Sequence, residues 1–217
     1  MSGPLDEAPE TGPCPHAVIV AGPNGAGKST LAPKLLAQEF DIRIYVNPDV
    51  IAQGLAGFAP ASAGIRAGRI LHQRLEELRS ERESFAVEST ISGRSLQRVI
   101  RTLKASGYQT LLVYLWLPEP DLAVERVGNR VKLGGHDVPE GDIRRRFYRS
   151  VSNFEKIYRR ITHEWRVYHA LRPLDEPEPR VIAHGVGDAV VAILDQDAWL
   201  EIQRQADAHS GDDDEIQ

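Results

Sequence analysis

The chain has 217 residues, 41% of them hydrophobic, which bounds it to one domain with room for a lid and gives it enough apolar content for a core. No run of 18 apolar residues occurs, so no transmembrane helix is expected, and the single cysteine, Cys14, excludes a disulfide framework and a cysteine-built zinc site and suits a reducing cytoplasm. The net charge of −5 is terminal: residues 1–15 hold three acids and residues 207–217 five, with no Lys or Arg in either, so the stretch between them carries +3, suited to a small anionic ligand and too weak to argue for nucleic acid.

Residues 1–15, acidic and rich in Pro and Gly, read as a disordered leader; they lack the basic start and apolar run of a secretory signal. Ala17–Ala21 is a short apolar run, expected as a buried strand. Gly22-Pro23-Asn24-Gly25-Ala26-Gly27-Lys28-Ser29-Thr30 follows and fits G-x-x-x-x-G-K-[ST]. Ser29 to Gln38 then has helix-forming composition, with Leu31, Leu35 and Leu36 on one face. Strand, glycine loop and helix in that order make an anion cradle. The glycines let the backbone wrap a phosphate, and loop amides and the helix N-terminus point at it. Lys28 is expected to reach the β- and γ-phosphates, and the Ser29 hydroxyl to bind Mg²⁺. The pattern implies a nucleoside triphosphate, ATP or GTP, and a P-loop NTPase fold.

Past the loop the elements alternate, which predicts a three-layer α/β fold with a mainly parallel sheet of five or six strands flanked by helices. A strand is expected at Ile42–Val46, and a short helix from Pro48 to Leu55. Gly57–Pro60 reads as a loop. A long helix follows over 61–82, with Ile65, Leu71, Leu75 and Leu78 on its apolar face. Phe85–Val87 is a strand running into Glu88-Ser89-Thr90, then a helix spans Ser95–Ser106, ended by Gly107. Thr110–Leu117 is the most apolar stretch and belongs at the sheet centre. Helices over Asp121–Val131 and Glu140–Arg160 flank a glycine-bearing loop, 132–139, and together form an arginine-rich lid over about 121–150. Strands at Trp165–His169 and Arg180–His184 complete the sheet. A terminal helix is expected from Asp188, as N-cap, to about Ala206, before a disordered acidic tail. The domain thus spans 16–206.

Asp49 and Glu88 follow strands two and three, at the carboxyl edge where open α/β sheets bind ligands. A carboxylate at Asp49 can accept a hydroxyl proton; equally, it can be a helix N-terminal acid held by the dipole. Glu88 can hold a Mg²⁺ water or a substrate hydroxyl, or be a satisfied strand-end carboxylate with Thr90 or Ser92 capping the next helix. Arginines of the lid (Arg126, Arg130, Arg144, Arg145, Arg146, Arg149) can close over a triphosphate, or can form a solvated face. His136 has no second ligand at metal spacing and reads as a substrate or loop contact. Leu174-Asp175-Glu176-Pro177 imitates a Walker B end, but no apolar strand precedes it, so 173–179 reads as a hairpin turn.

Taken together, Gly22–Thr30, Tyr45-Val46-Asn47-Pro48-Asp49, Phe85-Ala86-Val87-Glu88-Ser89-Thr90 and the segment around Gly134-Gly135-His136 resemble the zeta-toxin family in a short form, over about 16–185. The resemblance implies a kinase that phosphorylates the sugar 3′-hydroxyl of UDP-N-acetylglucosamine with ATP, and an antitoxin protein as partner. It implies Lys28 as the phosphate lysine, Asp49 as catalytic base, and Asn47, Glu88 and Thr90 on the substrate side. It also puts His72 where the family has a glutamate that holds the sugar nucleotide. Arg130 fits the first lid arginine, and Arg144 or Arg146 the second, with His136 nearby. Three other readings stand beside this one: a kinase for a different small hydroxyl acceptor; a regulatory ATPase or nucleotide switch, for which a strand-terminal Walker B aspartate is missing; and a binding module without catalysis.

Overall fold

A computed structural model describes residues 14–39, 42–56, 60–135, 137–170 and 180–208. Most of the leader, most of the 57–60 loop, His136, the 173–179 turn and most of the acidic tail lie outside them. The described residues form one seven-stranded sheet: β1 (His16–Ala21), β2 (Ile44–Val46), β3 (Phe85–Ser89), β4 (Gln109–Trp116), β5 (Glu164–His169), β6 (Val181–Val186) and β7 (Ala189–Ile193). The spatial order is β2-β3-β1-β4-β5-β6-β7. The first five in that order pair parallel; β6 and β7 add on antiparallel.

β4 sits at the sheet centre, as its composition requires. Its residues from Thr110 to Trp116 are buried without alternation, and so are Ala17 to Ala21 of β1. Unbroken burial in a strand means that both faces are covered. The helices are α1 (Lys28–Glu39), α2 (Pro48–Ala56), α3 (Pro60–Ser80), α4 (Ser95–Ala105), α5 (Pro120–Lys132), α6 (Glu140–Asn153), α7 (Arg159–Ile161) and α8 (Gln196–Ala208).

Four expectations are corrected. The sheet has seven strands rather than five or six. Ala189–Ile193 is a strand, not the start of the last helix: Val186-Gly187-Asp188-Ala189 is a tight turn, with Gly187 at φ 53, joining antiparallel strands. Gly-Asp is a hairpin pair, and the β-branched residues after it favour extension. The N-cap of α8 is Asp195, whose Oδ1 accepts from the Ala198 amide at 3.1 Å. On α3, Leu75 and Leu78 are buried but Ile65 is 70% exposed, so the apolar stripe covers only the later turns. The expected helix over 140–160 passes through a π-helical segment, Phe154–Tyr158, between α6 and α7.

Candidate active site at the carboxyl edge of the sheet

Register decides which side chains meet. Ala21 of β1 lies beside Ser89 of β3, and Val46 of β2 beside Val87. Because these strands are parallel, the segments that leave them emerge on one edge: Gly22–Thr30 after β1, Asn47–Asp49 after β2, and the end of β3 with Glu88.

The glycine loop is wedged between two neighbours. Gly22 has φ +144, and a Cβ there would stand 2.4 Å from the Leu115 carbonyl oxygen of β4. Gly25 has φ +76, and a Cβ there would stand 2.9 Å from the Ala123 carbonyl oxygen of α5. Neither close approach is open to another residue. Arg126, on α5, donates to the Gly25 carbonyl at 3.4 Å and to the Ala170 carbonyl at 3.0 Å, which ties the loop to α5.

Lys28 is buried, 7% exposed, at the first position of α1. Its Nζ donates to the carbonyls of Gly22 and Pro23, each at 2.9 Å, and lies 4.0 Å from Glu88 Oε1. Burial pulls its pKa below that of a free lysine, as does the Arg130 charge more weakly; Glu88 and Asp49 oppose the shift. Lys28, Glu88, Asp49 and Arg130 therefore share one electrostatic neighbourhood.

Glu88 is the hub. Its Oε2 accepts from Ser29 Oγ at 2.9 Å, from Asn47 Nδ2 at 2.9 Å, and from the Tyr45 hydroxyl. The Tyr45 pKa is raised, first by burial and then by this carboxylate. Asn47 does two tasks: its Oδ1 accepts the amides of Asp49 at 2.8 Å and Val50 at 3.4 Å, which makes it the N-cap of α2. The capping task sits on Asn47, and the Asp49 carboxylate, at an exposed first-turn position, has no hydrogen bond among the described residues.

Past β3, Thr90 Oγ1 and Ser92 Oγ are 2.9 Å apart. Neither caps α4, whose N-cap residue is Arg94, without a side-chain bond. His72 is exposed and faces Ser95 and Arg98 across the cleft between α3 and α4. The residues of α3 that turn toward the carboxyl edge are Ile70, Gln73, Arg74 and Glu77, which with Ser29, Tyr45 and Asn47 bound a cavity of about 600 Å³. His72 is thus not brought to the cluster. Among the lid arginines, Arg144 is held by Asp121 at 2.6 Å and Glu140 at 2.7 Å, bridging α5 and α6. Arg145 pairs with Asp142 at 2.8 Å, and Arg146 approaches the same carboxylate at 3.8 Å.

Two contributors escaped the sequence reading. Tyr45 looks like an ordinary strand aromatic, and only its place one residue before the end of β2 could have flagged it. Arg126 was one arginine of six; its spacing of four from Arg130 gives no hint that it reaches backward to the loop.

The family model described as Zeta toxin matches residues 5–172. An uncharacterized protein of Haemophilus influenzae (strain ATCC 51907 / DSM 11121 / KW20 / Rd) is 31% identical over 131 residues, 60% of this chain and 91% of that one. Among solved structures, a chain from the PezAT chromosomal toxin-antitoxin system of the human pathogen Streptococcus pneumoniae is similar with a TM-score of 0.56 and 18% identity, over 74% of this chain and 69% of that one. A gluconokinase from Sinorhizobium meliloti 1021 is similar with a TM-score of 0.51 and 16% identity, over 90% of this chain and 95% of that one. At these identities the two structures speak for the fold alone, a mainly parallel sheet flanked by helices.

Proposed function

The chain belongs to the zeta toxin family, and from that premise and the geometry of the edge we propose that it is an ATP-dependent small-molecule kinase. It transfers the γ-phosphoryl of ATP to a hydroxyl, with a sugar nucleotide such as UDP-N-acetylglucosamine as the first acceptor to test. The observation that carries this reading is the convergence of a buried lysine in a glycine loop with a carboxylate, Asp49, that neither caps its helix nor holds an ion pair among the described residues.

In this reading the loop amides and Lys28 bind the triphosphate, and Lys28 exchanges its two carbonyl partners for phosphate oxygens. Asp49 accepts the proton of the attacking hydroxyl. Glu88, Asn47 and Thr90 line the acceptor side, and the cavity next to Ser29 takes the part of the acceptor that does not react. Ser29 Oγ and the Glu88 carboxylate, 2.9 Å apart, are hard oxygen donors that fit Mg²⁺; they would hold the ion, which would supply charge neutralisation to the triphosphate. Arg130, within the field of Lys28, is the first lid arginine. Arg146 is the better supported second one, because two carboxylates already hold Arg144. His136 keeps its place as a candidate contact of the lid loop. An antitoxin protein is the macromolecular partner this reading carries, and no nucleic acid or membrane enters it.

The test is incubation with ATP and Mg²⁺ against a panel of sugar nucleotides and simpler sugars, read by mass spectrometry. The expected result is a gain of one phosphoryl group on one acceptor. ATP consumption without a phosphorylated product on any panel member would instead favour the regulatory ATPase.

A further inference from the structure

The turn after β3 holds a conformation that its sequence does not favour. Ile91 has φ +46, in the left-handed region, and its side chain is 1% exposed. A β-branched residue there is a true outlier, and such strain persists only where the surroundings over-determine it. Three side chains supply that determination. Ser89 Oγ accepts the Ile91 amide at 3.0 Å. Asn153 Nδ2 donates to the Ile91 carbonyl at 2.8 Å, and Tyr158 donates its hydroxyl to the Gly93 carbonyl at 2.7 Å.

The last two come from far along the chain. Asn153 is the final residue of α6, buried at 4% exposed, and Tyr158 ends the π-helical segment that follows. The wider π turn sits between the two donors, and such segments are frequent at functional sites. What they grip is the turn that carries Thr90 and Ser92, directly after Glu88. The helix that ends in Asn153 also carries Arg146, seven residues or about 10 Å upstream.

We propose that Asn153 is a positioning residue for phosphoryl transfer: with Tyr158 it clasps the strained 91–93 turn, so that Thr90 and Ser92 face the acceptor and the lid helix is tied to the acceptor side of the site. This rests on the acceptor-side reading of Thr90 given above. Asn153 acts through Ile91 and Thr90, not on the reacting atoms.

The test uses the full chain with Asn153→Leu, Tyr158→Phe, and the double variant Asn153→Leu/Ile91→Gly. Two quantities are followed: KM and kcat for whichever panel acceptor the wild type phosphorylates, and hydrogen–deuterium exchange of the 90–93 amides. Loss of one hydrogen bond of ordinary net strength corresponds to about a tenfold change. Asn153→Leu is expected to raise the acceptor KM by about that factor, leave the ATP KM unchanged, and speed exchange at 91–93. Tyr158→Phe, the milder change, should act in the same direction and keeps the test open if Asn153→Leu does not fold. Glycine takes φ +46 without strain, so adding Ile91→Gly should restore part of the acceptor KM. A purely structural Asn153 predicts the opposite, because Ile91→Gly only removes buried side chain. An unchanged acceptor KM in a folded variant, no rescue by Ile91→Gly, or unchanged exchange at 91–93 would each overturn the clasp. If the wild type phosphorylates no panel member, the kinase reading fails, while the exchange measurement still decides whether Asn153 holds the turn.

Discussion

Two groups of charged side chains are held in opposite ways. At the carboxyl edge, Lys28 and Glu88 are each 7% exposed, and Glu88 takes three further donors from Ser29, Tyr45 and Asn47. On the lid, Arg144 makes shorter ion pairs, at 2.6 and 2.7 Å, but with Asp121 and Glu140 that are 72% and 60% exposed. Distance alone would rank the lid pairs higher. Burial reverses the ranking, because solvent screens an exposed pair, whereas a buried carboxylate must keep its partners or suffer the loss of hydration unrequited. The edge cluster keeps its charge buried among short polar partners; the Arg144 bridge uses its charge to join two helices.

The sharpest way to break this contrast is Lys28→Ala. Transfer should fall by about 10²–10³-fold, the usual cost of removing one preorganised donor aimed at transition-state charge. The fold should survive, because Glu88 keeps three donors. Turnover at saturating ATP and a thermal melt on the same preparation decide it; retained transfer would remove Lys28 from the mechanism.

Asp49→Asn comes next. A general base contributes about 10²–10⁴-fold, so kcat should drop by that factor while ATP affinity and melting temperature hardly move. Asn47 remains as the cap of α2, so stability has no reason to change. Normal turnover on an identified acceptor would return Asp49 to the role of a helix-start acid.

The lid half of the comparison is sharpened by pairing Arg146→Ala with Arg144→Ala. The first should lower kcat by at least about tenfold if it takes up transition-state charge. The second should leave kcat near normal and shift melting only slightly, less so in high salt. The reverse outcome would make Arg144 the second lid arginine, freed from its carboxylates during turnover.

The smallest effect is in alkaline pH. Burial pushes the Tyr158 phenol up to about 12, and raises Tyr114 and Tyr45 as well. Above pH 10 the unfolded chain loses phenol protons that the folded chain retains. The tyrosine contribution is therefore complete below pH 10 and is lost as pH rises toward 12, by about 1.4 kcal/mol per pH unit for each tyrosine involved. The lowered Lys28 pKa works oppositely and only below 10.5, its unfolded value. Denaturant titrations from pH 9 to 11.5 should show the decline, and Tyr114→Phe should make it shallower. A flat profile would mean that these phenols are hydrated.

The parallel half of the sheet was legible because its signals are local. The loop pattern, the apolar runs of β1 and β4 and the Asn-Pro-Asp start of α2 each determine their own conformation. The terminal strand was not, because Asp188 is as good a helix cap as a turn residue; pairing with β6, which no local pattern reports, decides between them. In the site, Lys28 was placed by the loop pattern, Asp49 and Glu88 by following strand ends to one edge, and Asn47 by the resemblance. His72 came from the resemblance, and the structure does not bring it to the cluster. Alignment gives a position along α3 but not its rotation, and a step of one residue on a helix turns the side chain by about 100°, enough to aim Gln73 at the carboxyl edge and His72 at α4.

The wedge around Gly22 has a consequence for how this loop can vary. Its glycines are not equivalent letters. Position 22 is closed to every side chain, since backbone of β4 occupies the space and φ +144 forbids the rest. Position 27, at φ +79 with no protein atom within 4 Å, asks of the fold only a left-handed residue and leaves asparagine admissible for folding. A library randomised across the loop and selected for folding alone should therefore return an uneven alphabet, a single symbol at 22 and a short list at 27, although the motif writes both as G.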